Sequence, residues 1–272
     1  MQLIGGVMVD GALRRDVTLA PVDGRAEVDL SDLAESPLSE PERVTRFLET
    51  TLATVGGLTP DPAALSVGDR QHLVRLIGAE LAGDTRWLTS RCGECGEGFD
   101  FRVTLSALPV KPAGEGYPDV PVTLRGRPYR LRVPTGADQA AIAAIEDEEA
   151  ALAALIDRLL SGQDAPPAAD LTAAEIARIE AALEDAAPEV ATEVLATCHA
   201  CGAENRVGVD PYMALGEAGD GILAEVHVLA RRYHWSEAEI LSLPRRRRAA
   251  YLALIDRERG MIGDLPGALQ GS

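Results

Sequence analysis

Four cysteines carry the clearest chemical signal in the chain. They form two pairs, Cys92-Gly93-Glu94-Cys95 and Cys198-His199-Ala200-Cys201, and no other cysteine is present. A Cys-x-x-Cys turn directs both sulfurs at one ion, and two such turns complete a tetrahedral sulfur site. The pairs are separated by 102 residues, more than a compact zinc ribbon spans. The spacing therefore predicts one structural Zn2+ held by Cys92, Cys95, Cys198 and Cys201, with a lobe inserted between the two halves of the ribbon. Gly93, Gly96, Gly98 and Gly202 lie in or beside the turns, where tight knuckles call for positive φ.

Other fates for the thiols compete with this one. Disulfides suit an oxidising compartment, and nothing N-terminal reads as a signal peptide. A thioredoxin-like turn follows a strand and opens a helix, whereas Gly96-Glu97-Gly98-Phe99-Asp100-Phe101 reads as a turn and then a strand. Free thiols remain open. His199 lies inside the second knuckle and reads as a donor to a thiolate or a solvent-facing ring, because four thiolates already complete the site. His227 and His234 have only a weak metal spacing, and His72 flanks an apolar stripe with no ligand partner.

These turns need a scaffold. The chain has 272 residues, 46% of them hydrophobic but only 4% aromatic, and a net charge of -17. Such a core is aliphatic, and the charge opposes loose association with nucleic acid. No apolar run is long enough for a membrane span. The charge is uneven. Residues 138–193 hold fourteen acidic and two basic side chains, whereas residues 221–272 hold six acidic and eight basic.

The pattern predicts an α+β fold in six parts. Residues 1–35 read as an extended N-terminal arm. Residues 36–91 read as a helical segment, with one helix over Ser39–Val55 and another from Ser66. Residues 92–137 with 198–212 form the split zinc ribbon and a hairpin, the latter marked by Val120, Val122, Leu124, Tyr129, Leu131 and Val133. Arg125, Arg127, Arg130 and Arg132 on its polar face suit pairing with the acidic middle. Residues 138–197 form an acidic helical insertion, with cap signals at Thr135 and at Thr172 with Glu175, and a short helix from Pro188 that delivers the chain to Cys198. Residues 221–260 read as a basic helical docking tail, and 261–272 as a flexible tail.

No phosphate loop, dinucleotide fingerprint, metalloprotease motif or nucleophile elbow is present, so the reading is non-enzymatic. Trp235 and the cluster Arg245, Arg246, Arg247 and Arg248 are the candidate partner-docking residues. Four arginines at a helix start sit unfavourably at the positive end of its dipole, and an acidic protein surface would relieve that strain.

Several segments together resemble a known family. They are Leu65-Ser66-Val67-Gly68-Asp69-Arg70-Gln71, Gly83-Asp84, the first cysteine pair, Leu131-Arg132-Val133-Pro134-Thr135-Gly136-Ala137-Asp138, and Tyr233-His234-Trp235-Ser236-Glu237-Ala238-Glu239-Ile240-Leu241-Ser242-Leu243-Pro244 followed by arginines. These look like the baseplate and baseplate hub-assembly proteins of contractile phage tails and phage-tail-like injection systems. The resemblance spans roughly Leu52 to Ile255. It implies a structural component or adaptor whose partners are other baseplate or hub proteins. A soluble assembly chaperone for the hub is one alternative, and the paired cysteine turns by themselves leave a second, a zinc-ribbon nucleic-acid-binding protein. The resemblance also implies a cytoplasmic protein during assembly that then joins a particle. No catalytic residue carries over.

Overall fold

The first nineteen residues close into a hairpin. The computed structural model describes residues 1–215 and 221–263. Strand β1 (Gln2–Val9) pairs antiparallel with β2 (Ala12–Leu19). Asp10 and Gly11 between them both have positive φ, 50° and 75°, the geometry of a tight two-residue hairpin turn. Helices α1 (Gly24–Ala34) and α2 (Glu40–Thr51) follow, and then β3 (Leu52–Val55) joins the sheet in the order β1-β2-β3. Leu3, Val17, Leu30, Val44, Phe47 and Leu48 share one core with Leu73, Val74 and Ile77 of α3 (Val67–Ala82). The expected arm over 1–35 is thus corrected. Leu3, Val17 and Leu30 are buried in this core. The helix expected through Val55 also stops earlier, because Leu52 turns to an extended conformation and pairs with Leu19.

Two adjacent and fully buried charges on α3 clamp this core from opposite sides. Asp69 accepts hydrogen bonds from the backbone N–H groups of Ile4, Gly5 and Gly6 at 2.9, 2.8 and 3.0 Å, and from the Ser66 hydroxyl at 2.9 Å. A Cβ on Gly5 would lie 2.6 Å from the carboxylate, so the close approach depends on glycine. Arg70 donates to the carbonyls of Pro41 and Pro62, at 2.6 and 2.7 Å, and to Thr45 Oγ1 at 3.0 Å. Neither charge forms an ion pair among the described residues. Backbone dipoles replace the water each has lost.

Next come β4 (Thr85–Arg91) and β5 (Gly98–Thr104), a hairpin in unbroken register from Thr85 opposite Thr104 to Arg91 opposite Gly98. After β6 (Val110–Lys111), strands β7 (Asp119–Leu124) and β8 (Arg127–Arg132) form the predicted hairpin. It belongs to the acidic lobe and not to the cysteine unit. The lobe comprises α4 (Gly136–Ile142), α5 (Glu148–Leu159), β9 (Leu160–Ser161) and α6 (Ala173–Ala186). Strand β9 adds to β8, and Val122, Leu124 and Leu131 pack with Ile156, Leu159 and Ile179. Capping boxes at Thr135–Asp138 and Thr172–Glu175 start α4 and α6. Arginines hold these same carboxylates: Arg132 of the hairpin lies 2.6 Å and Arg158 of α5 3.0 Å from Asp138, and Arg125 of the hairpin turn lies 3.0 Å from Glu175.

The helix expected from Pro188 is also corrected. The chain there is extended, as β10 (Glu189–Val190) paired with β6, and then β11 (Glu193–Thr197) paired with β12 (Glu204–Gly208). Two valines and a leucine over six residues fit either period, and β-branched Val190 and Val194 favour the strand.

Helices α7 (Ile222–Tyr233), α8 (Glu237–Leu241) and α9 (Arg245–Gly263) form the last unit around Leu229, Ile240 and Ile255. Half-buried Trp235 stacks on Tyr233 and meets Tyr251 edge-on, with ring centroids 4.8 and 4.9 Å away. The four arginines do not share one fate. Arg248 is wholly buried, bonding both Glu27 oxygens at 2.7 Å, Glu225 at 2.8 Å and the Leu243 carbonyl at 2.7 Å. Its assignment as a docking residue is therefore corrected, because an internal cluster uses its charge. Arg245 leans toward Glu27 at 3.9 Å, while Arg246 and Arg247 are exposed. Helix α9 runs past the expected end at 260. The flexible tail expected over 261–272 lies, from 264 onward, outside the described residues.

Candidate metal centre

The cysteines sit in the turns of two hairpins. Cys92 and Cys95 occupy the β4–β5 turn, and Cys198 and Cys201 the β11–β12 turn. The two turns share one construction. In the first, Cys92 N–H donates to the Glu97 carbonyl at 2.9 Å and Gly96 N–H to the Cys92 carbonyl at 3.0 Å. In the second, Cys198 N–H donates to Ala203 and Gly202 N–H to Cys198, both at 2.9 Å. The glycine that follows each second cysteine has positive φ, 75° at Gly96 and 78° at Gly202. A side chain there would be strained. Gly93 and Gly98 lack positive φ among the described residues, so their expected role is corrected. The Gly93 N–H instead donates to Asn205 Oδ1 at 2.9 Å.

The hairpins place all four sulfurs within 4.8 Å of one another. Cys92 Sγ lies 3.6 Å from Cys201 Sγ, and Cys95 Sγ 3.8 Å from Cys198 Sγ. These are cross-hairpin neighbours, too far apart for a bond of about 2.0 Å, and all four thiols are free. The first cysteine of each turn is buried and the second exposed. Beneath them Phe99, Phe101, Val103, Leu105 and Val209 form a small core. The arrangement suits one metal ion, and these four residues would hold it.

The electrostatics fit a cation. The backbone N–H groups of Cys95 and Glu94 face the Cys92 sulfur and lower its pKa to about 6, with help from Asn205. At Cys201 the Ala203 amide favours the thiolate, yet Cys95, Cys92 and burial together push the thiol up to about 12. One sulfur ionises readily and a neighbour then resists, since like charges at this spacing repel. A bound cation removes that repulsion, and coordination requires deprotonated sulfur.

Asn205 was not singled out by sequence reasoning. Its Nδ2 lies 3.6 Å from Cys92 Sγ, and its Oδ1 receives Gly93 N–H, so β12 reaches across and latches the opposite knuckle. An amide four residues after Cys201 was the available signal. His199 is exposed and outside the sulfur cluster. It lines an open groove of about 700 Å3 with Trp87, Phe101 and Leu195. Trp235 and the arginines lie in the C-terminal unit, apart from this site. No helix among the described residues is long and apolar enough to cross a membrane. Comparisons with protein-family models, with curated proteins and with solved structures find no match.

Proposed function

We propose that the protein is a non-enzymatic, zinc-stabilised adaptor in the baseplate of a contractile phage-tail-like particle. The observation that carries the zinc part is the sulfur spacing. A tetrahedron with Zn–S arms of about 2.3 Å has edges of about 3.8 Å, and the two short sulfur pairs measure 3.6 and 3.8 Å. In this reading the two hairpins are the halves of a split zinc ribbon, and β6 through β10 the insertion between them. Bound zinc would supply a rigid crosslink. The residues of the chain do the rest: backbone amides and Asn205 orient the sulfurs, and the aromatic core keeps water from the buried pair.

The adaptor role is supported by the residues that resemble baseplate proteins, and by the fold's several separate faces. It is tested in particles purified from cells that express the tagged chain. Mass spectrometry should find it at stoichiometric abundance in mature particles. Presence only in hub precursors would make it an assembly chaperone instead, and absence from both would sink the reading. Elemental analysis of protein purified under reducing conditions should find one zinc per chain.

A further inference from the structure

Two faces of opposite charge do not meet within one chain. Glu146, Glu148 and Glu149, around the start of α5, are exposed, and their carboxylates make no hydrogen bond or ion pair among the described residues. They differ from Asp138 and Glu175, which hairpin arginines neutralise. Ile145 beside them is 36% exposed. At the other end, Arg246 and Arg247 are exposed and likewise unpaired among the described residues. Leu254, two turns along α9 from Arg247, is 43% exposed, and Arg257 beyond it is exposed as well.

Helix α9 packs on α7, and α7 and α8 pack on α1. No hydrogen bond or ion pair among the described residues joins 138–193 to 221–263. Cations in the first turn of a helix oppose its dipole. Glu27 and Glu225 relieve Arg245 and Arg248, but nothing among the described residues relieves Arg246 and Arg247.

We propose that this α9 face docks on the Glu146–Glu149 face of a second copy of the chain. Charge complementarity selects the occupant: the acidic surface that matches the arginines in sign and in its apolar neighbour is the chain's own. The inference needs neither the metal nor the baseplate role. The two patches are different, so the contact is head-to-tail, and it leads to a ring or an open filament and not to a two-fold dimer. The net charge of -17 repels whole molecules at low salt. At about 0.15 M salt that repulsion is screened beyond about 8 Å while contact pairs survive. Association is therefore strongest at intermediate salt.

Sedimentation equilibrium tests this on the full chain at about 100 μM, within the range of weak interfaces. Wild type should exceed monomer mass at about 0.15 M salt and return to monomer near 1 M, where the screening length is about 3 Å. The triple variant R246E/R247E/R257E and the triple variant E146K/E148K/E149K should each be monomeric, and their equimolar mixture should associate. The lysine variant has the smaller net charge, so its loss of association points to the patch and not to general repulsion. Circular dichroism and thermal midpoints verify that both fold, and the arginine variant places acids where the α9 dipole favours them. Monomeric wild type at every salt concentration, association that ignores both variants, or a mixture that stays monomeric would each overturn the proposal. So would a monomeric wild type that binds polyglutamate through Arg246 and Arg247, which assigns the face to a different acidic partner.

Discussion

The N-terminal core and the cysteine unit both join segments that are far apart in sequence, with opposite chemistry. Around α3, one carboxylate gathers three amides of β1 and one guanidinium gathers the carbonyls ahead of it. The core beneath them is broad enough to stand without an ion. Around Cys92 and Cys198, two short hairpins share a small core and bring four sulfurs together. A core of that size contributes little by itself, and the proposed metal crosslink would supply the difference. The comparison teaches that the size of the apolar core decides which kind of tie a segment needs.

The largest expected effect separates the two regions. Stripping the metal with a chelator, or replacing Cys198→Ser, should unfold the paired hairpins, since structural zinc contributes roughly 10–16 kcal/mol of binding free energy. Hydrogen exchange should show protection lost over β4–β5 and β11–β12 and kept over α2 and α3. Simultaneous loss everywhere would erase the distinction. Asp69→Ala acts on the other side. It strands three buried N–H groups at about 1–3 kcal/mol each before relaxation, so urea unfolding should show a loss of about 3–5 kcal/mol with zinc content unchanged. Arg248→Met leaves buried Glu27 with only the distant Arg245 at 3.9 Å, at a cost of about 3 kcal/mol. Adding Glu27→Gln should recover part of it.

The smallest effect comes from acid. Backbone and side-chain bonds from Thr172, with Arg125 between them in strength, hold Glu175 at about 2. Burial would raise Asp138, but Arg132 and Thr135 hold it well below the usual range. The unfolded carboxylates titrate near 4. Between about pH 4 and 2 the unfolded chain therefore binds protons that the folded lobe refuses, and stability falls as pH falls. Thermal midpoints should be flat in this respect above about pH 5 and decline from about pH 4. A decline that begins near neutrality would instead report loss of metal as the thiolates protonate.

Much of this was legible where local chemistry settles local structure. Ser66 and Thr172 announced their helices, and strict alternation announced β5, β7 and β8. The four cysteines announced their own meeting. The N-terminal hairpin was hidden because Gly5 and Gly6 interrupt its alternation, and those glycines approach a carboxylate 64 and 63 residues away. Asp10-Gly11 is the residue pair that marks its turn. Arg248 was indistinguishable in sequence from its three neighbours. Only the packing of α9 turns one of the four inward, onto acids from α1 and α7.

The bond from Arg248 to Glu27 spans 221 residues. On a ribosome that synthesises from the N-terminus, α1 emerges long before its guanidinium partner exists. Until α9 leaves the exit tunnel, Glu27 must stay hydrated, and the site where α1 receives the last unit must stay open. The first helix therefore completes its packing only after α9 has been made, and a truncated product lacking α9 would display that unfinished surface to quality control.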